Sequence, residues 1–444
     1  MKNMTEGNPA KLIILFTIPL ICGNILQQLY NIGDGKIVSE YIDELAFAAV
    51  GMTAVVSNTL NGLIGGFTQG FGILIANSFG AKDMNRLRRS VAGSIILTIF
   101  LVIVLTTLGM LFIKPILITL NTPEEILPQA LSYVRIIIGG IIFTATYNLN
   151  ANMLRALGDS KTPLFFLIMS VILNLGLDYI FVRILNMGIN GAAYATVISQ
   201  TICSASCLIY TFKRFRNIIP LKEDWKDAFN ELSELFTTGL SMGLMGCIVN
   251  IGTIILQGAI NSLGSEIMAA HVAGRRVLDL LMIMIFTFGF SMTTYVSQNM
   301  GAGRLDRVKQ GVKAATLTVT AISITLVLIC LIISRPVVTW IASTDNMNII
   351  DNGVMYCRTG VYFFVALGPL FVLRCTLQGM GHKIIPLYSS VMELTIKVLS
   401  ASILVPAIGY LGVALTEPIS WVLMTTMLFF MYIHYINKEA ALAV

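Results

Sequence analysis

Charge is scarce in this sequence. Only 12% of its 444 residues are Asp, Glu, Lys or Arg, which is about half of the share that is typical of soluble domains. Hydrophobic residues make up 56% of the chain, and the mean hydropathy is +0.82. No soluble fold needs that much apolar surface, so the composition excludes a soluble globular protein and indicates a membrane protein.

Signals of metal and redox chemistry are also missing. The seven cysteines lie scattered through apolar segments without the paired spacing of a metal site, and the three histidines are far apart in the sequence. No His-Glu-x-x-His run is present. We therefore expect no cofactor and no zinc-peptidase chemistry, and we assign the cysteines to packing.

The strict alternation of polar and apolar residues that marks barrel strands is absent as well. Lipid offers the backbone no hydrogen-bond partner, so spanning segments must be helices or closed barrels, and here only helices remain. Apolar windows such as 95–113 and 314–333 are long enough to cross a hydrocarbon core about 30 Å thick. The first apolar run lacks a small-residue cleavage pattern, so we interpret it as a retained span rather than a removable signal.

The predicted fold is an all-α membrane protein with about twelve transmembrane helices. Their approximate limits, read from hydrophobic runs and turn residues, are 11–35, 46–78, 91–113, 128–153, 162–184, 189–211, 235–260, 268–300, 312–333, 352–378, 384–405 and 412–436.

Lysine and arginine are distributed unevenly between the loops. They concentrate after the second, sixth and eighth predicted spans, and such positive loops stay in the cytoplasm. These residues are Lys82, Arg86, Arg88, Arg89, Lys213, Arg214, Arg216, Lys222, Lys226, Arg304, Arg307, Lys309 and Lys313. With an even number of spans, we expect both termini to be cytoplasmic. The net charge of +6 is then a topology signal and not a nucleic-acid footprint.

The two halves of the sequence resemble each other at a spacing of roughly 220 residues. Matching pairs are Gly80 and Gly301, Arg86 and Arg307, Tyr133 and Tyr356, Arg135 and Arg358, Gly158 and Gly381, Pro163 and Pro386, Gly188 and Gly409, and Gly191 and Gly412. Such a repeat predicts two pseudo-symmetric six-helix bundles, one rocking against the other around a central cavity. We place the first lobe at 1–212, a charged cytoplasmic linker at 213–234 and the second lobe at 235–444.

Polar side chains form one stripe along the first predicted span. Asn24, Gln27, Gln28 and Asn31 follow helical spacing, and Asp34 lies one turn further. Polar groups are costly in lipid, so this stripe must face protein or water, and we expect it to line a substrate cavity.

The fifth and sixth predicted spans carry a second polar face. Asn174 and Asp178 are one turn apart, and Thr196 and Gln200 share one face of the next span. Together with Asp34 they offer carboxylate, amide and hydroxyl groups, the hard oxygen donors that suit a small cation or a proton. In the alternative interpretation, the two aspartates lie near helix ends, where headgroup water solvates them or they cap neighbouring helices.

The second half lacks this aspartate pair, because the corresponding positions are Ile254 and 399–401, all apolar or small. It offers Gln257 instead, and Glu393 with Lys397 one turn later. The last two residues either neutralise each other or take part in substrate contact or a second protonation site, and both interpretations stay open.

Several further polar residues lie within predicted spans. Asn148 is another candidate for the cavity wall. We expect Arg275, Arg276 and Asp279 to form a local ion cluster, and Glu417 either to line the cavity or to cap a kink.

Five short motifs occur in an order and at spacings that resemble the multidrug and toxic compound extrusion (MATE) family over essentially the whole length. Together with Pro19 in the first span, they are Ala46–Gly51, Asn77–Asp83, Arg155–Pro163, Gly191–Thr196 and Gln298–Arg304. The resemblance implies two six-helix lobes, a central cleft and antiport of a substrate against H⁺ or Na⁺. In the DinF-like branch of this family the cation site corresponds to Asp34, Asn174, Asp178 and Thr196 here, and these residues would be the ligands if the ion is Na⁺. The other branch has acidic residues in the second lobe on helices 7 and 8, and the absence of acidic residues from helix 7 argues against it.

The resulting hypothesis is a cation-coupled antiporter that exports amphipathic, often cationic organic compounds. We expect a monomer in the cytoplasmic membrane of a prokaryote, with small organic substrates, the lipid bilayer and no nucleic acid as partners. One alternative is a flippase of lipid-linked sugars on the same scaffold. A more distant one is an intramembrane enzyme, because the spacing of Asn174 and Asp178 is similar to the metal-binding helix of prenyltransferases, although a second acidic cluster is missing.

Overall fold

The computed structural model describes residues 3–41, 44–120 and 122–442, apart from the side chains of 31–41, 44, 47 and 442. Within these residues the structure consists of helices and connecting turns, without a strand. In the first half the helices are α1 (Pro9–Tyr41), α2 (Glu44–Gly80), α3 (Met84–Thr119), α4 (Leu127–Gly139), α5 (Ile141–Ala156), α6 (Lys161–Asp178) and α7 (Gly188–Arg214).

A short helix, α8 (Lys222–Asp227), lies between the halves. The helices of the second half are α9 (Phe229–Asn261), α10 (Ser265–Gly301), α11 (Leu305–Ala342), α12 (Met347–Tyr362), α13 (Phe364–Gly379), α14 (Ile384–Leu399), α15 (Val405–Ile408) and α16 (Tyr410–Leu442).

Ten segments of the described chain are long and apolar enough to cross a membrane, and two bent helix pairs raise the number to twelve. The bent pairs are α4 with α5, at 45°, and α12 with α13, at 51°. They coincide with the fourth and tenth predicted spans. The prediction of an all-helical protein with about twelve spans is therefore confirmed, with each bent pair counted as one span.

A glycine at the bend between α4 and α5 allows close packing of α7. Gly140 separates the two helices, and a Cβ atom at this position would lie 2.5 Å from the side chain of Val197 on α7. Only a residue without a side chain allows α7 to approach the bend this closely. The repeat-related bend lies at Phe363, between α12 and α13.

Two spans end in a wider helical turn. Tyr179–Ile184 continues α6 as a π-helix, and Ser400–Leu404 continues α14 in the same way. The sequence analysis did not predict these segments. π-Helical turns are rare and occur frequently at functional sites, and Asp178 is the residue immediately before the first of them.

Packing divides the chain into two compact units. Each unit contains the first part of a helix whose second part belongs to the other unit. The first unit is built mainly from Ile18–Gly243, and the second contains Met4–Thr17 together with Leu244–Val444. The dividing points thus lie inside α1 and inside α9. The division into lobes at 1–212 and 235–444 rests on the sequence repeat and stays a prediction.

Glycines bring two helices of the first unit into backbone contact. A Cβ atom at Gly70 of α2 would lie 2.7 Å from the Cα of Gly239 on α9, and one at Gly66 would lie 2.7 Å from the Cα of Gly243. Small residues at a spacing of four allow helices to pack this closely in membranes. The first part of α9 is fixed to the first unit in this way.

In the second unit, the segment that precedes α1 is anchored by the end of α10 and the start of α11. The Met4 N–H donates to Gln298 Oε1 at 3.0 Å. The Met4 carbonyl accepts from Asn299 Nδ2 and from Arg307 Nη2, both at 3.2 Å. The motif Gln298–Arg304 and the repeat residue Arg307 thus bind the N-terminal segment.

Candidate functional site

Three of the four predicted coupling residues meet between α6 and α7 in the first unit. Asn174 and Asp178 lie one turn apart on α6 and are 2% and 0% exposed. Thr196 lies opposite them on α7, half-buried, and its hydroxyl donates to the carbonyl of Ala192 at 3.0 Å. The helical spacing of α6 and its packing against α7 bring these polar groups together.

The Asn174 side chain bridges the other two residues. A carboxylate only accepts hydrogen bonds and a backbone N–H only donates, so the amide group must face each with the complementary atom. In this orientation Asn174 donates to Asp178 Oδ2 at 2.9 Å and accepts from the Thr196 N–H at 3.2 Å. In the opposite orientation, the amide nitrogen would lie 3.4 Å from the Thr196 hydroxyl and the amide oxygen would face the carboxylate. The bridge therefore places a hydrogen-bond donor on the buried carboxylate.

Further small polar groups extend this face of the α6–α7 contact. Ser170, one turn before Asn174, is 3% exposed. The Ser199 hydroxyl donates to the Thr196 carbonyl at 2.9 Å. Among the described residues, no group of three or more His, Cys, Asp or Glu side chains is placed to hold a metal ion. A sodium ion at this site would therefore need hydroxyl and amide oxygens beside the carboxylate.

The stripe on α1 is only partly described. Asp34 and Asn31 belong to the helix Pro9–Tyr41, but their side chains lie outside the described residues, so the fourth coupling residue remains a prediction. Asn24 and Gln28 are exposed and Gln27 is half-buried.

Two other cavity candidates of the first unit behave differently from each other. Asn148 is half-buried, and its amide nitrogen donates to the Thr144 carbonyl of its own helix at 3.0 Å. Gln200 on α7 is half-buried, and among the described residues its Oε1 atom accepts no hydrogen bond. Gln200 thus keeps a free acceptor, whereas the Asn148 amide nitrogen is already engaged.

In the second unit, Glu393 and Lys397 form the ion pair that their spacing predicts, with 3.0 Å between Glu393 Oε1 and Lys397 Nζ. Lys397 is 1% exposed and also donates to the Thr253 hydroxyl of α9 at 3.0 Å. Arg374 of α13 approaches the same carboxylate, with its Nη2 atom 3.9 Å from Glu393 Oε2. One carboxylate therefore faces two buried cations.

The sequence analysis missed Arg374. The sequence did contain a signal, because Arg374 lies inside the apolar run of a predicted span. An arginine at such a position is expected to be functional or ion-paired. Gln257, the remaining cavity candidate of this half, is half-buried and donates to Asn261 Oδ1, one turn away on α9, at 2.8 Å.

A second ion cluster joins α10 to α16. Arg275 Nε lies 2.8 Å from Asp279 Oδ1, and Arg275 also binds the Glu417 carboxylate. Arg276 is exposed, and the ion pairs among the described residues do not include it. The predicted cluster of Arg275, Arg276 and Asp279 is thus corrected: Glu417 takes the place of Arg276, because only Arg275 faces the lobe interior.

Comparison with known proteins decides the family. Residues 19–180 and 242–403, more than half of the chain and one stretch in each half, match the sequence model of the MatE family. The chain belongs to the MatE family. This confirms the resemblance noted in its motifs, and it makes the protein a membrane transporter of the multidrug efflux family and not an enzyme.

Bacterial MatE proteins are recognisably similar in sequence. The probable multidrug resistance protein YpnP of Bacillus subtilis is 28% identical, over 69% of this chain and 68% of its own length. The probable multidrug resistance protein NorM of Thermotoga maritima is 24% identical, over 85% and 81%. The multidrug export protein MepA of Staphylococcus aureus is 23% identical, over 84% and 86%.

Solved structures share the fold. A MATE crystal structure in the bent conformation has a TM-score of 0.93 at 22% identity and covers 99% of this chain and 98% of its own. An outward-facing multidrug resistance MATE transporter has a TM-score of 0.90 at the same identity, with 99% of both chains covered. The two-lobe MatE fold is therefore the fold of this protein.

Proposed function

We propose that the protein exports amphipathic, often cationic organic compounds by antiport against an inward flow of H⁺ or Na⁺, with Asp34, Asn174, Asp178 and Thr196 as the coupling site. The observation that carries the proposal is the bridge from Asn174 to Asp178 and Thr196 in the first unit. It gives a fully buried carboxylate a partner that can both donate and accept.

Binding of a cation at Asp178 changes the charge of this site. The empty site holds a buried negative charge that the Asn174 N–H group stabilises, whereas protonation or sodium binding neutralises it. The inward-facing and outward-facing states solvate this carboxylate differently, so they bind the cation with different affinities. Cation binding therefore shifts the equilibrium between the two states.

A proton fits this arrangement with less rearrangement than sodium. The Asn174 group that faces Asp178 Oδ2 is an N–H donor, and a sodium ion would repel it and require the amide to turn its oxygen toward the ion. A proton needs only the carboxylate, so we propose H⁺ as the coupling ion with Na⁺ as the alternative.

The proposed cargo follows the curated relatives, several of which are described as multidrug resistance or multidrug export proteins. Arg275, Arg374 and Lys397 of the second unit already face carboxylates. These three cations are therefore not available for the phosphates of a lipid-linked sugar, and this disfavours the flippase alternative. We further propose a monomer in the cytoplasmic membrane of a prokaryote, with both termini inside.

Transport by purified protein in proteoliposomes tests the proposal. Efflux of ethidium, an amphipathic cation, is followed with a proton gradient or a sodium gradient imposed separately. We expect the proton gradient to drive efflux and Asp178→Asn to abolish it. Asp351→Asn serves as the matched control, because this exposed carboxylate pairs with Arg335 away from the proposed site. A response to neither gradient, or full activity of Asp178→Asn, would overturn the proposal.

A further inference from the structure

A groove of about 460 Å³ opens between α4 and α7 in the first unit, apart from the proposed coupling site. Its polar lining consists of Ser132 and Arg135 on α4 and Asn190 and Tyr194 on α7. The remaining lining residues are apolar, and no carboxylate is among the described residues that line the groove. A cation without a carboxylate beside it is suited to an anionic ligand.

Hydrogen-bond donors dominate the polar lining. The Ser132 hydroxyl donates to Asn190 Oδ1 at 2.7 Å, which occupies the acceptor of that amide and leaves its NH₂ group as a donor. The Tyr194 hydroxyl and the five N–H groups of the exposed Arg135 add further donors. Among the side chains that the structure describes, Arg135 has no hydrogen-bond or ion-pair partner.

The repeat supplies a comparison inside the same protein. Arg358, the counterpart of Arg135, donates to the Ser334 hydroxyl and to the Leu331 carbonyl, both at 3.3 Å. When the two halves are aligned at Pro115 of α3 and Pro336 of α11, Ile113 corresponds to Ser334. Arg135 therefore lacks the hydroxyl that holds Arg358, and its guanidinium group remains available.

Exposed isoleucines follow the groove residues along α7 and lie at the start of α5, and we call them the isoleucine track. Ile142 of α5 is 43% exposed, and Ile198 and Ile202, one and two turns after Tyr194 on α7, are 37% and 41% exposed. The polar end and the isoleucine track together match an amphipathic ligand rather than a free ion.

The position along the span fits the membrane interface. Arg135 lies eight residues after Leu127, the first residue of α4, which corresponds to about 12 Å along a helix. A bilayer with its headgroups is about 45 Å thick, of which roughly 30 Å is hydrocarbon. The long arginine side chain can therefore reach the headgroup layer while its stem stays in the apolar region, and tyrosine is typical of the same layer.

We propose that this groove binds an anionic phospholipid, with the phosphate group on Arg135, Asn190 and Tyr194 and the acyl chains along the isoleucine track. An anionic headgroup is favoured over a zwitterionic one, because the described lining residues offer a choline or ethanolamine cation no carboxylate, while Arg135 repels such a cation. The lining residues do not include Asn174, Asp178 or Thr196, and the proposal does not depend on the proposed function.

Native mass spectrometry of the delipidated protein in detergent tests the proposal, with phosphatidylglycerol and phosphatidylcholine titrated separately. We expect one tightly bound phosphatidylglycerol, bound about tenfold more weakly by Arg135→Gln, since a charge-assisted hydrogen bond is lost. Arg335→Gln is the matched control, because this exposed arginine pairs with Asp351 outside the groove. It should retain wild-type affinity.

Two further measurements distinguish binding of a phospholipid from binding of free phosphate and from a loss of protein stability. Inorganic phosphate at millimolar concentration should not compete with phosphatidylglycerol, and thermal denaturation in lipid-free detergent should give Arg135→Gln the melting temperature of the wild type. Equal affinities of Arg135→Gln and Arg335→Gln would overturn the proposal. So would equal binding of both lipids, or displacement of the lipid by phosphate alone.

Discussion

The Asn174 amide donates to Asp178 Oδ2 at 2.9 Å across one turn of α6, and the same amide accepts from the backbone of Thr196 on α7. Asn174 therefore links a buried carboxylate to a neighbouring helix. A change in the charge of Asp178 alters the hydrogen bond that the amide makes, and the position of α7 relative to α6 depends on the same side chain.

Replacement of Asn174 should impair transport more than it impairs folding. Asn174→Leu keeps the volume but removes the donor from the Asp178 carboxylate, so we expect efflux in proteoliposomes to fall by about tenfold or more, the value of one hydrogen bond to a charged group. Asn352→Leu is the control, because the amide of this residue donates to the Asn348 carbonyl of its own helix, α12, away from the proposed site. Equal activity of the two variants would show that the bridge has no part in transport.

The ion pair of the second unit predicts a pattern of stability. Glu393→Gln leaves Lys397 and Arg374 without a carboxylate, and loss of one partner of a buried pair typically costs about 3–5 kcal/mol. The double variant Glu393→Gln, Lys397→Met should regain part of this loss, because one of the two uncompensated charges is removed while Arg374 remains. Thermal denaturation of both variants and of Lys397→Met completes a double-mutant cycle. Additive losses would mean that the two residues do not interact.

The glycine contact between α2 and α9 predicts a position-specific effect of alanine. A Cβ atom at Gly70 would lie 2.7 Å from backbone atoms of Gly239, so Gly70→Ala must push the helices apart, at a cost of about 1–3 kcal/mol. Gly62→Ala lies two turns earlier on the same helix and meets nothing within 4 Å among the described residues. It should keep or slightly raise the melting temperature, because alanine favours helix. A similar loss in both variants would contradict the close contact.

His382 predicts a pH dependence of stability at the turn between α13 and α14. Burial lowers the pKa of this histidine, and nearby Glu439 opposes the shift. The ring packs against Tyr435, with 4.0 Å between the ring centroids. Because the folded state favours the neutral ring, the contribution of His382 to stability is fully present above the unfolded pKa of about 6.5. It is lost as the pH falls below that value.

Melting temperatures between pH 7 and pH 5 measure this effect. The wild type should lose stability toward pH 5, and His382→Gln should lose less. His434→Gln is the control, since this exposed histidine lies on the same helix as Tyr435. Parallel pH profiles of the wild type and His382→Gln would exclude the histidine as the cause.

Much of the fold follows from the sequence because hydrophobic runs and the helical period are local properties. The span limits predicted around Asn174 and Thr196 agree with α6 and α7, and the repeat pairs recur as paired structural features, such as the positive φ angles of 84° at Gly158 and 89° at Gly381. The π-helical turns after Asp178 and Leu399 were not predicted, because an additional residue in a helical turn leaves no signature in hydrophobicity.

Sequence alone determined that Asn174 and Asp178 share a helix face and that Glu393 and Lys397 can pair, because residues four apart in a helix are neighbours wherever the helix lies. Only the tertiary structure decided which residues from remote parts of the sequence contact these and the other charged side chains. Arg374 lies near Glu393, and Glu417 binds Arg275. Arg358 donates to Ser334, whereas Arg135 has no such partner among the described side chains. These contacts depend on how separate helices pack and rotate against one another.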